Sequence, residues 1–486
     1  SNVSSQVYTH SYFVHPNMGE KYRFPIVSIV TDSVHFFSDE HGLYVEGNNR
    51  NFSQRGREWE RPAYMQLLTM DGNIALSQNI GVRTYGNKGR ALPQKSLLLY
   101  ARSSYGEKRF KHPLFPEKDI DSFKRLILRS ASSNDWKNTL FKNELAQRMV
   151  VDLDLEHPST KRVIAFINGE YWGIHHLSER MDEHFLADYF SLDDDSFDYL
   201  SSNALVEEGS NEDYLNLIDF IQTNSLTKTA HYNYVASQID LSNFIDYNIT
   251  ELFFSNTDWP NNNIKYWKTK SEESKWRWLF FDCDECMSYE YYDLLGDFML
   301  GKPYYEAFPK WSTVLLHHLF RNDSFTQQFR RRFEHLLSTT FSTYNMMSHI
   351  DSMKALYDPE VSAHAIRWNA PASMLDWEGA VTGLYSFAAI RPAQAHQQLN
   401  DYLGHPFRLF PNPANGTVWI STPLETILNP RLTIYDSRGS LVQTLVFKDS
   451  QEMKGTPINT ASFQSGIYLF KLQLNGLYYS EKILVQ

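Results

Sequence analysis

Two cysteines in 486 residues exclude a disulfide framework as the basis of this fold. Long apolar runs are missing too. The densest, Trp278-Leu279-Phe280-Phe281 and Leu126-Ile127-Leu128, have the length of strands, well short of the roughly 20 residues of a membrane helix. Positive charge is in deficit: 46 Lys and Arg face 57 Asp and Glu, for a net charge of −11. A general nucleic-acid binder needs a basic face to displace counterions, so that class is not expected. The chain opens Ser1-Asn2-Val3-Ser4-Ser5-Gln6 without an initiator Met or signal peptide, which reads as a processed or engineered end.

Apolar residues make up 42% of the chain, charged residues 21% and aromatic residues 15%. This is the composition of a soluble globular protein with mixed cores, and the length suggests about three domains. The first part is β-rich. Short apolar runs occur at Phe24 to Thr31, Gly42 to Gly47, Tyr64 to Met70 and Ile80 to Tyr85. A cationic loop, Gly86-Asn87-Lys88-Gly89-Arg90, then precedes the apolar run Leu97-Leu98-Leu99-Tyr100, a buried strand. Asp135 is the expected N-cap of a helix over 136–150, with Leu140, Leu145 and Met149 on one face. Asn168-Gly169, between the runs Arg162 to Ile167 and Tyr171 to Leu177, signals a hairpin because both residues tolerate positive φ. A helix is expected from Arg180 to Tyr189, ended by Asp193-Asp194-Asp195, and another from Leu241 to Asn256. Two short strands follow, and then mostly helix to Leu403, with Phe325, Phe329 and Phe333 as a core stripe. Arg330-Arg331-Arg332 in that region reads as a solvated face. At Gly404-His405-Pro406 the pattern changes to short alternating runs, so 404–486 reads as a small antiparallel β domain.

The most informative stretch follows the helix that begins near Leu241. Asp258 precedes Asn263 by five positions, and after two short strands comes Phe281-Asp282-Cys283-Asp284. The order Asp, Asn, hairpin, Asp is what phosphoryl transfer from Mg-ATP requires. One carboxylate accepts the proton of the attacking hydroxyl, and an amide oxygen and a second carboxylate hold Mg²⁺, a hard cation. The usual His-Arg before the first Asp is replaced by Asn256-Thr257. Alone, the spacing is weak, since Asn and Asp also serve turns by bonding their own backbone. Asp282 and Asp284 are expected on one face of a strand end, where they repel unless a cation or an Arg lies between them. Lys95, just before the strand 97–100, is in the position of a phosphate-binding lysine, with Arg83 on the preceding strand; a plain strand-edge lysine is the alternative. Lys88 and Arg90 read as surface charge, and Glu144 as a partner for Lys95 or a surface residue. Cys283-Asp284-Glu285-Cys286 lacks a thioredoxin-like context and further zinc ligands, so the pair reads as structural, free or disulfide-linked.

These residues resemble the CotH (spore coat protein H) kinase-like family. The resemblance rests on Phe166-Ile167-Asn168-Gly169-Glu170-Tyr171-Trp172-Gly173-Ile174, Leu177-Ser178-Glu179-Arg180-Met181-Asp182, Pro93-Gln94-Lys95-Ser96, and the stretches around Asp258 and Asp282. It covers residues 20 to 403. It implies an α+β, divergent protein-kinase-like fold, with a β-rich lobe over about 1–178 and a helical lobe over about 179–403. It further implies ATP and Mg²⁺ as cofactors, with Asp258 and Lys95 catalytic. Lys95, Arg83 and Glu179 would serve the nucleotide, Glu179 near its base. Asn263, Asp282 and Asp284 would serve the metal. The tail resembles a type A C-terminal sorting domain of the type IX secretion system, through Leu409-Phe410-Pro411-Asn412-Pro413, Ile434-Tyr435-Asp436-Ser437-Arg438-Gly439, Ser465-Gly466-Ile467-Tyr468-Leu469 and Lys482-Ile483-Leu484-Val485-Gln486. It implies a β-sandwich over 404–486 and a protein secreted by, or on the surface of, a Gram-negative bacterium.

The expected activity is transfer of the γ-phosphoryl group to Ser or Thr of a protein acceptor, with the type IX machinery as a second partner. The alternative is a non-catalytic surface protein for adhesion or coat assembly, since ATP is scarce outside the cell. A glycan hydrolase needs two carboxyls across a cleft, which acids on one strand face do not provide.

Overall fold

Alternation of apolar residues puts two distinct faces on the first strands, and one of them is turned to the core. A computed structural model describes residues 9–15, 21–193, 195–271, 273–300, 309–403, 407–422, 430–474 and 477–486, and mixes helices with several sheets. Seven strands close a barrel: β1 (Ile26–Val30), β2 (Arg61–Leu68), β3 (Ile74–Tyr85), β4 (Ser96–Tyr100), β5 (Arg125–Arg129), β6 (Thr160–Ile167) and β7 (Glu170–Glu179), in the order β1-β2-β3-β4-β5-β7-β6. Closure comes from β1, which pairs antiparallel with β2 and parallel with β6. Leu97, Leu99, Leu126 and Leu128 point into the main core with Val27, Met65 and Val163, while Leu98, Tyr100 and Ile127 form a second cluster. Period-2 alternation with both faces covered explains the uninterrupted apolar run of β4.

The Asn168-Gly169 turn joins β6 to β7 with φ of 50° and 84°. In β7, Gly173 has φ +82°, and a Cβ there would lie 2.7 Å from His364 Nδ1 and 2.8 Å from Trp368 Nε1. Both contacts come from the Thr343–Trp368 helix, which docks on β7: Ile174 N–H donates to His364 Nδ1, and Trp368 Nε1–H donates to Trp172 O. Gly173→Ala is therefore expected to cost more than about 2 kcal/mol, because it adds backbone strain to overpacking. Denaturant unfolding checks this; a loss below 0.5 kcal/mol would mean the helix yields easily.

Beyond the barrel, β8 (Phe197–Ser201), β9 (Leu205–Glu208), β10 (Lys265–Thr269) and β11 (Arg277–Trp278) form an antiparallel sheet in the order β9-β8-β10-β11. The buried Leu241–Phe254 helix lies against it through the Phe244 and Trp278 rings, 4.6 Å between centroids. Asp240 caps this helix by accepting from Ser242 N and Asn243 N, and Ser255 ends it in the left-handed conformation.

Three expectations need correction. Gly42 to Gly47 is not a strand; Gly42 N, Leu43 N and Tyr44 N donate back to Ser38 O, His35 O and Phe36 O, so the preceding helical turn takes the bonds a neighbouring strand would need. The helix over 136–150 is broken. Leu140 has φ 69°, and Asp135 accepts from Thr139 N, Thr139 Oγ1 and Lys142 N, so the helix starts at Lys142. The Arg330–Arg332 run is not a uniform solvated face. Arg330 is buried, and Arg332 makes a two-pronged ion pair with Asp246 at 2.7 Å for each bond. Asp194, Gly404 to Pro406 and the Asn475-Gly476 turn lie outside the described residues.

The chain divides into two compact units, residues 1–322 with 331–395, and residues 323–330 with 396–486. In the second, a three-stranded sheet (Arg408–Phe410, Thr417–Ser421, Ile458–Asn459) and a four-stranded sheet (Leu441–Val446, Arg431–Tyr435, Gly466–Leu474, Leu477–Val485) share a core. Leu409, Val418 and Ile420 meet Leu432, Ile434, Phe470 and Leu472 there.

Candidate active site

The polar segment after the Leu241–Phe254 helix has few apolar side chains to bury, so its polar groups bond one another. Asn256 donates its amide to Glu251 Oε2 at 2.8 Å, and its carbonyl oxygen accepts the Asp258 N–H at 3.2 Å. Asp258 accepts from the side-chain amides of Asn262, at 2.9 Å, and Asn263, at 3.1 Å. With its nitrogen committed to Asp258, Asn263 is left with its carbonyl oxygen as a donor for a cation. Its backbone is left-handed at φ 58°, a conformation Asn tolerates better than most residues.

Asp282 and Asp284 belong to a loop that follows β11, and Asp282 has φ 62°. Strand alternation therefore does not bring them together, contrary to expectation. They meet instead on Arg129, at the end of β5, whose Nη2 donates to Asp282 Oδ1 at 2.5 Å and to Asp284 Oδ2. Burial pulls the Arg129 pKa down, but Asp284 and Asp282 outweigh it and hold the guanidinium above its ordinary value. Burial pushes the Asp282 carboxyl up, and Arg129 outweighs that, keeping it below the usual range. Cys283, which separates the two acids, forms a disulfide with Cys286, and Asn143 Oδ1 accepts the Cys283 N–H at 2.9 Å. The loop is thus closed on itself and tied to the Lys142–Met149 helix. Replacing both cysteines by Ser is expected to cost about 2 kcal/mol, the loop-closure entropy of so short a ring. Calorimetric unfolding checks this; an unchanged transition would make the bridge incidental.

Asp258, Asn263, Asp282 and Asp284 line one cavity of about 410 Å³, together with Gly86 to Gly89 of the loop after β3, Arg129, Glu207, Lys265 and Glu285. Glu251 lies beneath it, fully buried, with Oε1 unpartnered. Burial, reinforced by Asp282 and Asp258 and opposed by the Asn256 bond, pushes its carboxyl up to about 8. Glu285 is also pushed up, by burial and then by Asp258. Surplus negative charge, with hard oxygen donors from Asp282, Asp284 and Asn263, fits a divalent cation. Among the described residues no cluster of three His, Cys, Asp or Glu is placed to hold a metal by itself.

Lys95 does not line this cavity, although its neighbour Ser96 does. Its Nζ donates to Arg90 O at 2.7 Å and Leu92 O at 2.8 Å and sits 4.7 Å from the centre of the Phe52 ring. Burial pulls its pKa down to about 8. Arg83 donates to Gly56 O and faces the Tyr100 ring. Glu179 is buried in an ion pair with Lys118 and accepts the Ser159 N–H at 2.8 Å. None of the three lines the cavity that holds Asp258. Glu144 pairs with Arg162 and accepts from Tyr357 OH at 2.7 Å, not with Lys95. Arg90 is not surface charge. It is buried and donates to Gln54 O, Ser53 O and Gly86 O, which braces the glycine loop, whereas Lys88 is exposed at the cavity. Sequence reasoning missed Arg129, although it required a cation between two neighbouring acids, and an Arg directly after the apolar run 126–128 was the signal for one.

The CotH kinase protein family model matches residues 82–394, and the secretion system C-terminal sorting domain model matches residues 408–486. No curated protein matches the chain. Among solved structures, the crystal structure of dimeric latent PorU from Porphyromonas gingivalis is 26% identical over 16% of this chain and 9% of that one, with a TM-score of 0.13.

Proposed function

The chain belongs to the CotH kinase protein family, whose model spans residues 82–394, and from that premise we propose that it is an atypical protein kinase of divergent kinase-like, two-lobed fold. It binds Mg-ATP in the cavity and transfers the γ-phosphoryl group to Ser or Thr of a protein acceptor. The observation that carries this reading is the meeting of Asp258, Asn263, Asp282 and Asp284 with the glycine loop around one cavity. Residues 408–486 are a secretion system C-terminal sorting domain, so the protein is secreted or held at the cell surface and engages the secretion machinery. No helix among the described residues is long and apolar enough to cross a membrane. The host in this reading is a Gram-negative bacterium.

Asp258 orients the acceptor hydroxyl and takes its proton, its carboxylate aimed by the Asn262 and Asn263 amides and its backbone by Asn256. Asn263, Asp282 and Asp284 would hold Mg²⁺, which when bound offsets the charge of the β and γ phosphates. The backbone of Gly86 to Gly89, which borders the cavity, would cover the phosphates. Incubation with γ-labelled ATP and Mg²⁺, with a generic protein acceptor and without one, tests the reading. Label on protein supports it; no label, together with no nucleotide binding in calorimetry, sinks it. A second reading, a non-catalytic surface protein for adhesion or coat assembly, is favoured by one observation: Lys95, the family's expected phosphate lysine, is tied to Arg90 O and Leu92 O and does not line the cavity. Glycan and protein arrays follow if no label is transferred.

A further inference from the structure

With Lys95 tied down, the cavity needs another fixed cation from the barrel if a triphosphate is to be held there. Lys88, Arg129 and Lys265 line it. Lys265 is committed: its Nζ donates to Met181 O at 2.7 Å and lies over the Tyr199 and Phe281 rings. Lys88 is exposed on the glycine loop, so fixing its flexible side chain on a ligand costs rotamer freedom. Arg129 differs from both. Its backbone is set by pairing of β5 with β7, and its side chain is only 14% exposed. Asp282 and Asp284 both grip a single nitrogen, Nη2. Among the described residues, Nε and Nη1 make no hydrogen bond, and neither is a sealed, unpartnered atom. A guanidinium held by one corner presents the rest of its planar fork ready-oriented, and that fork matches two oxygens of a phosphate.

We propose that Arg129 is the residue that grips the nucleotide phosphates, and that Lys95 is a clamp that fixes the glycine loop by bonding its carbonyls. The inference rests on the nucleotide-binding reading above. Lys95 performs the second role through Arg90 O and Leu92 O, which lie at the end of the segment whose Gly86 to Gly89 border the cavity.

The test is calorimetric titration of the full chain with ATP, and separately with adenosine, both in Mg²⁺. Arg129→Gln is expected to weaken ATP binding at least about tenfold and leave adenosine binding within about twofold, because adenosine carries no phosphate for the guanidinium to grip. Arg129→Lys, which keeps the charge but not the fork, is expected to fall between wild type and Arg129→Gln. Lys95→Met is expected to hold ATP within about threefold of wild type, since it removes no direct phosphate contact. If Arg129→Gln does not fold, Arg129→Lys carries the comparison. ATP affinity unchanged in the Arg129 variants, while wild type binds, overturns this inference and leaves the reading standing. Loss of ATP affinity in Lys95→Met alone returns the role to Lys95. Wild type that binds neither ligand sinks the reading and the inference with it.

Discussion

Exchanging Asp258 for Asn is expected to slow phosphoryl transfer about 10³-fold, within the range of a lost general base, while the fold and nucleotide affinity stay in place. The substitution keeps size and shape. The Asn256 carbonyl still accepts the backbone N–H of residue 258, and one oxygen remains to accept from Asn262 or Asn263. What disappears is the group that takes the hydroxyl proton. Steady-state transfer to a protein acceptor, with calorimetric nucleotide binding run alongside, checks this. Transfer near the wild-type rate would remove Asp258 from the mechanism. A parallel fall in nucleotide affinity would instead assign it to binding.

The second large effect concerns Glu251, and it is read as stability against pH. Folded, its carboxyl is pushed up to about 8, by burial first and then by Asp282 and Asp258; the ordinary value is 4.5. Because the folded value lies above the unfolded one, the folded chain binds more protons at this group anywhere between pH 4.5 and 8. Its contribution to stability is full below the lower value and is lost as pH rises towards the higher. Glu251→Gln mimics the protonated acid and does not titrate. The variant should match wild type near pH 5 and exceed it by about 4 kcal/mol at pH 8, at about 1.4 kcal/mol per pH unit. Burial is complete, so no solvent screening reduces the figure. Denaturant unfolding of both proteins at pH 5, 6.5 and 8 gives the difference directly. A gap that does not widen with pH would mean that Glu251 is ionised in the fold and has found a partner.

The strands and the Asn168-Gly169 hairpin were legible because their signals are local: period-2 apolar runs, and two residues that accept positive φ. Asp258, Asn263, Asp282 and Asp284 were nameable by spacing for the same reason. The interrupted helix at 136–150 was not legible. Asp135 is as good a cap for a continuous helix as for the turn it actually bonds, and what distinguishes the two is tertiary: the Trp136 indole donates to Gln94 Oε1, Leu140 turns left-handed, and the Lys142 N–H bonds Asp135. Strand alternation likewise gave no account of Asp282, whose left-handed backbone lies in a loop.

By itself, the order of residues determined the family this chain belongs to and its sorting tail, since both are written in contiguous motifs. Which cation faces the acids was decided by the tertiary structure alone. Lys95 precedes β4 and Arg129 ends the neighbouring strand β5, and sequence order singled out only Lys95. Closing the barrel turns Lys95 into the carbonyls of its own loop and aims Arg129 at a loop more than 150 positions away in sequence. Burial is the physical reason: an ammonium sealed under aromatic rings must take the nearest oxygens, and two acids forced together must take the nearest guanidinium.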